Sequence, residues 1–145
     1  MADIFSQQKR SEIMSRIRCA GTTPERRLYA MVREIIGPRW RVRQNVTALP
    51  GRPDIVIPSC RLIIFADGCF YHCCPTHGHE PKSNQEYWTP KLARNVRHAA
   101  SNRRKLRAMG YSVWRVWEHD LKGAANLDRT LSRLRNLLMK RGLAR

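Results

Sequence analysis

Residues 65–79 read FADGCFYHCCPTHGH, a cysteine- and histidine-rich turn that leaves an apolar run and begins eleven residues after the last position of PGRPD at 50–54. A chain with this sequence has to place a metal-binding loop close to a carboxylate that follows a proline. Within the loop, Cys69, Cys74 and His77 are separated by five and three residues. A tight turn containing proline and glycine can bring such a set around one tetrahedral zinc. The fourth ligand must come from elsewhere. His119 is the best candidate, because it follows the strand-like run YSVWRVW, which can lie in the same sheet. Cys73 and His79 compete for a place. Four protein ligands leave no open position, so the ion is expected to be structural. Cys69, Cys73 and Cys74 lie within six of the chain's residues. In a reducing compartment, clustered cysteines are metal ligands more often than disulfides. Cys19 and Cys60 stand apart and read as ordinary thiols.

The acids near this loop form a second constellation. Asp54 opens the apolar run DIVIP directly after a Gly-Arg-Pro turn, so a sheet can aim its carboxylate at a bound cation. Magnesium prefers such hard oxygen donors, with water and substrate phosphate completing its shell. A turn aspartate that accepts backbone N–H bonds is the plainer alternative. Asp67 ends the adjacent run RLIIFA, and an antiparallel hairpin brings that end beside the start of DIVIP. Two acids and a backbone carbonyl then converge. His72 is poorly spaced to share an ion with Cys69 and reads instead as an imidazole beside the acids, able to deprotonate an attacking water.

The element order reads αα-βββ-α-β-α, an α/β fold with a mixed sheet flanked by helices. Helices are expected over 6–18 and 24–36, the second with Thr22 and Glu25 at capping-box spacing, Pro24 in its first turn and Gly37 at its end. Leu28, Val32, Ile35 and Ile36 give that helix an apolar stripe. Alternation predicts a strand over 40–46, and β-branched runs predict strands at DIVIP and RLIIFA. Thr89 and Pro90 suit the start of a long helix ending near Met109 and Gly110, and Asn126 suits the cap of a last amphipathic helix. With 145 residues, the chain fits one domain.

Twenty-eight Lys and Arg against eleven Asp and Glu give a formal charge of +17, the footprint of a protein that binds phosphate backbones. Seven of these cations and no acid fall between Lys91 and Arg107, so one helix face is expected to track phosphates. Arg52, Lys91 and Arg94 are the DNA-contact candidates among the basic residues. Phe70, Tyr71 and Trp88, read as loop aromatics, either pack a zinc knuckle or wedge between base pairs. No apolar run reaches membrane-span length and no signal peptide is evident, so a cytoplasmic protein without membrane partners is expected.

The runs RSEIMSRIR, TPERRL, LPGRPDIV, FADGCFYHCCPTHG, PKSNQEYW, KLARN and VWRVWEHDL, taken in order, resemble the very-short-patch repair (Vsr) mismatch endonuclease family. The resemblance covers nearly the whole chain. It implies a restriction-endonuclease type of fold, with residues 1–22 as a DNA-contacting segment and 23–145 as the catalytic core. It also implies a magnesium-dependent nick of double-stranded DNA 5′ of the thymine in a T·G mismatch, such as arises by deamination of 5-methylcytosine. By that resemblance Asp54 is the central magnesium ligand, the Ala66 carbonyl a further one, and Asp67 holds metal-bound water. His72 is the base and Glu25 a supporting active-site residue. Cys69, Cys74 and His119, with His77, hold zinc, while Phe70, Tyr71 and Trp88 intercalate. The implied setting is a bacterial monomer associated with the nucleoid, linked functionally to a DNA cytosine methyltransferase and to mismatch-repair proteins.

Two departures from the family pattern stand out. Tyr71 stands where tryptophan is usual, which weakens stacking. Ala99 stands where an acid that helps hold metal-bound water is expected, with His98 and Asn102 as substitutes nearby. A zinc-containing protein that binds distorted duplex without cutting it is therefore the competing reading, and an RNA-directed nuclease a third.

Overall fold

The computed structural model describes residues 6–19 and 23–143, which form two compact units. One comprises the described residues up to Arg41 together with those from Asp120 onward. It holds three helices, α1 (Gln7–Cys19), α2 (Pro24–Ile36) and α4 (Ala124–Lys140). The expected stripe of α2 is buried, with Met31 added to Leu28, Val32, Ile35 and Ile36. Gly37 ends the helix at φ 70, its N–H donating to the Arg33 carbonyl. Thr23 occupies the N-cap without a side-chain bond, and the Thr22 half of the expected capping box lies outside the described residues. Helix α4 buries Leu127, Leu131, Leu134, Leu137 and Leu138 against α1 and α2. Arg10 of α1 pairs with Asp128 of α4 at 2.6 Å, and Arg27 of α2 donates to the Leu121 carbonyl at 2.7 Å.

The helix starts differ from expectation in one place here. Asn126 lies in the first turn of α4 and does not cap it; Gly123, at φ 82, precedes the helix instead. Glycine reaches that backbone conformation without a Cβ penalty, so the chain turns into the helix three residues early.

The other unit, Val42–His119, carries a four-stranded sheet in the order β1-β2-β3-β4. Its strands are β1 (Arg43–Gln44), β2 (Ile55–Ile57), β3 (Leu62–Asp67) and β4 (Ser112–Trp117), with helix α3 (Gln85–Ala108) between the last two. Strands β1, β2 and β3 pair antiparallel, and β3 pairs parallel with β4, so the sheet is mixed. Val56 and Ile63 on one face pack with Val46 and with Leu106 of α3, while Ile55, Ile57, Leu62 and Ile64 are buried as well. A strand buried on both faces reads as a continuous apolar run, which is how IVI and LII are spelled.

The first strand is much shorter than the expected 40–46. Asn45 adopts φ 49, a left-handed conformation that asparagine tolerates, and this interrupts the alternation. Beyond it, the Asn45 and Val46 N–H groups donate to the carbonyls of Asp54 and Pro53 at 3.2 and 3.1 Å. The PGRPD turn is thereby pinned to the segment before it. Helix α3 begins at Gln85, so Thr89, Pro90 and Trp88 lie within it. Asn84, at φ 53, directs its carbonyl to the N–H groups of Tyr87 and Trp88, a start that no common capping pattern announces. Pro90 forgoes only the bond to the Glu86 carbonyl, at an exposed position where solvent can serve it. Among the described residues no helix is long and apolar enough to cross a membrane.

Candidate active site and metal cluster

Two registers build this region. In the antiparallel pair, Ile55 faces Ile64, so Asp54 comes beside the end of β3. Its Oδ2 accepts the Ala66 N–H at 2.8 Å, which fixes the carboxylate against the strand it was expected to join. In the parallel pair every partner differs by fifty, Asp67 lying opposite Trp117. Two residues further along both chains, the same offset sets Cys69 beside His119.

The Cys/His loop closes on itself through short backbone bonds. The Cys74 N–H donates to the Cys69 carbonyl at 2.9 Å, and the Gly78 N–H to the Cys74 carbonyl at 2.8 Å. A Cβ at position 78 would come within 2.5 Å of that carbonyl oxygen, so only glycine fits. Cys69 Sγ and Cys74 Sγ lie 3.4 and 3.6 Å from His119 Nδ1. With His77 the four donor atoms all fall within 4.8 Å of one another. For Zn–S and Zn–N bonds of about 2.3 and 2.0–2.1 Å, a tetrahedral edge is roughly 3.6 Å, so the donor set fits a soft divalent cation such as zinc. Of the two competitors, Cys73 is exposed at φ 52 and His79 stacks near Phe70 at 5.1 Å; neither joins the four.

The thiols are electrostatically unequal. Burial opposes ionisation of Cys74, but N–H groups of His77, Thr76 and Gly78 and the Cys69 side chain outweigh it, so its pKa is lowered. Burial first, with Cys74 and Glu118 adding to it, raises that of Cys69. A cation among the four donors would favour the thiolate form of both.

Beside this cluster is a cleft of about 410 Å³, lined in part by Asp54, Ala66, Asp67, His72 and Arg103. Asp67 is only 5% exposed. Arg115 Nε donates to its Oδ2 at 2.7 Å, while His72 Nε2 stands 3.6 Å from its Oδ1. The Arg115 guanidinium also lies over the Trp117 ring, 4.3 Å from the centroid. Burial lowers the His72 pKa, Asp67 opposes it, and Arg115 and Arg103 reinforce it, so the imidazole favours its neutral form. Asp54, a carboxylate at a strand end in an open cleft, suits a hard cation that retains water. Asp67 lines the same cleft, with one carboxylate oxygen committed to Arg115.

The remaining expected residues fall into separate places. Phe70 meets Tyr71 and Trp88 edge-on, with centroids 5.4 and 5.3 Å away. Trp88 contributes to this cluster from α3 and not from a loop. Tyr87, not singled out in the sequence, joins Trp88 at 5.1 Å, and Lys91 Nζ bonds its hydroxyl at 3.0 Å. Arg52, exposed at φ 50, lines the cleft, and Arg94 is exposed on α3. His98, Ala99 and Asn102 all line the cleft, and the Asn102 side chain packs close to Gly51, which adopts φ +79. Glu25 lies in the first turn of α2, in the helical unit, where a carboxylate complements the helix N-terminus. Arg103 and Arg115 were missed. Arg115 had a signal, a charge in the middle of an apolar strand two residues before Trp117, whereas Arg103 is hidden in a uniformly basic helix.

The sequence profile of the family described as DNA mismatch endonuclease Vsr matches residues 2–79, over half of the chain. The chain belongs to the Vsr endonuclease family. Its relatives include the type II nicking enzyme V.XorIIP of Xanthomonas oryzae pv. oryzae, 37% identical over 139 residues that cover 95% of this chain and 98% of that protein. The type II nicking enzyme V.NmeAIP of Neisseria meningitidis serogroup A is 36% identical over 137 residues, 92% and 94% of the two chains. The DNA mismatch endonuclease Vsr of Escherichia coli K12 is 33% identical over 132 residues, 88% and 80%. The Vsr match ends at His79, after the whole acid and metal-ligand run except His119.

Proposed function

We propose that this Vsr-family chain is a magnesium-dependent endonuclease that nicks double-stranded DNA 5′ of the thymine in a T·G mismatch and so starts short-patch repair of deaminated 5-methylcytosine. The arrangement that supports this best is Asp54, held by the Ala66 N–H at a strand end, facing the same cleft as Asp67 and His72. On this reading the frame is of the restriction-endonuclease type, and Asp54 with the Ala66 carbonyl holds the magnesium ion. When bound, that ion supplies positive charge for the phosphoryl group and the leaving oxygen.

The chain's own residues do the rest. His72, neutral by desolvation, takes the proton of the attacking water, and Asp67 orients that water while Arg115 holds Asp67 in place. Zinc at Cys69, Cys74, His77 and His119 locks the loop from which Phe70 and Tyr71 reach toward the duplex. With Trp88 they stack on bases at the mismatch, and Arg52, Lys91 and Arg94 contact phosphates. By the family resemblance Glu25 is a supporting residue for the reaction. The protein works as a cytoplasmic monomer, functionally linked to a cytosine methyltransferase and to mismatch-repair proteins.

Ala99 in the cleft favours one competing reading, a mismatch binder that does not cut. The test is a panel of duplexes with magnesium: T·G mismatched, fully paired, and the same sequence as RNA. A single nick in the T·G duplex alone, absent with Asp54→Ala although binding persists, is expected. Tight binding of the mismatch without any nick would favour the binder, and cleavage of RNA would overturn both.

A further inference from the structure

Helix α3 presents Asn95, His98, Ala99, Asn102 and Arg103 to the cleft, positions three, four, seven and eight apart that form one helical face. Arg103 is the one cation of the basic run Lys91–Arg107 that lines it; Arg94, Arg97, Arg104 and Arg107 are exposed. The two arginines whose charges act on His72, Arg115 and Arg103, are not equivalent. Arg115 is spent on Asp67 and on the Trp117 ring. Arg103 feels both Asp67 and Arg115 but forms no ion pair with any described residue. Burial is the main cost to its charge, and Arg115 adds to that cost. A guanidinium does not shed its proton to relieve such a cost, so what its surroundings lack is an anion.

We propose that Arg103 is a catalytic phosphate ligand, its guanidinium donating two N–H bonds to the non-bridging oxygens of the scissile phosphodiester. This rests on the nuclease reading of the same cleft. In the reaction, the water oxygen bonds to phosphorus as its proton passes to His72. The bond to the 3′ oxygen breaks, and that oxygen takes a proton from solvent. Negative charge on the non-bridging oxygens grows as the new bond forms, and a planar fork of fixed charge follows that growth at the least reorganisation. Arg103 thus binds the transition state better than the ground state.

Nicking of a T·G duplex by Arg103→Ala, Arg103→Lys and the exposed control Lys140→Ala tests this, with melting and zinc content measured for each. For Arg103→Ala, kcat is expected to fall about 100-fold, well beyond any rise in KM. Arg103→Lys should regain part of the rate, and Lys140→Ala should behave as wild type. Without divalent ions, the salt dependence of duplex binding should lose about one unit of slope in Arg103→Ala, and a neutral methylphosphonate at the nick site should abolish that difference. Wild-type kcat in Arg103→Ala, or a lowered kcat with the salt slope and methylphosphonate response unchanged, overturns the proposal. If the wild-type protein nicks nothing while the slope still falls, the nuclease reading fails and the phosphate contact stands; an unchanged slope there ends both.

Discussion

The thiol–imidazole cluster and the acid cleft grow from the same strand end, within about a dozen residues of β3, yet they are built on opposite principles. In the cluster, four protein donors converge within 4.8 Å and leave no position for a substrate. In the cleft, carboxylates, two imidazoles and two guanidiniums line space that a phosphate and water can enter. Four soft donors gathered in one loop and at the end of β4 close on one another, and the same loop carries His72 to Asp67. The hard donors of the cleft stay open to whatever enters it. The difference shows how a small protein secures precision at an open site: the neighbouring closed one supplies it.

The comparison breaks most sharply at Cys74. Cys74→Ser leaves three donors around the cluster, and since structural zinc contributes directly to folding, loss of the ion is expected to cost several kcal/mol and all nicking with it. Metal analysis and a melting curve check this; retained zinc with unchanged melting would show that the loop closes on hydrogen bonds alone. Asp54→Ala probes the other region and should separate the two. It is expected to lower nicking by about three orders of magnitude, the several kcal/mol that a metal site contributes to charge stabilisation, while zinc content and duplex binding persist.

How much of this was legible follows from which forces spell themselves in sequence. The β-branched runs at 55–57 and 62–64 announce buried strands, and their hairpin brings Asp54 to the end of β3 by register alone. His119 was legible as a partner of Cys69 for the same reason, since a strand must return beside β3. Helix α3 was misjudged at its start, because a left-handed Asn84 sets it and Pro90, read as an opener, is tolerated inside. Arg103 was invisible as a site residue, since a cation in a chain of charge +17 reads as solvated until its burial is known, whereas Arg115 was marked only as a charge inside an apolar strand. Tyr87 escaped because side-chain clustering across a helix and a loop leaves no local pattern.

A milder probe of the division of labour is His72→Ala, expected to lower nicking about 100-fold without releasing zinc, the range of a lost general base. Zinc loss on that change would move His72 into the other region. Its pH behaviour carries a sign. Because burial lowers the folded-state pKa below 6.5, the unfolded chain takes up the proton first as pH falls below that value. This group therefore costs stability on the acidic side, and nicking by the wild-type protein should persist below pH 6.5 before it declines. In His72→Ala that stability loss and that acidic limb should both shrink; an unchanged limb would assign the proton transfer to another group.

The smallest effect is expected where the closed region meets the duplex. Tyr71 is 52% exposed, meets Phe70 edge-on and lies tilted 6.1 Å from Trp88, so it contributes little to the fold. Its exposed face is free to stack on a base, an interaction of about 1–3 kcal/mol, of which 1.4 corresponds to tenfold in Kd. Tyr71→Ala should weaken binding of a mismatched duplex about tenfold with melting and zinc unchanged, and Tyr71→Trp should tighten it, because the larger indole covers more of the base. Titration of labelled duplex against each variant decides it. Equal affinities for all three would mean that the loop is locked for the sake of His72 alone, and that Trp88, on α3, meets the bases without it.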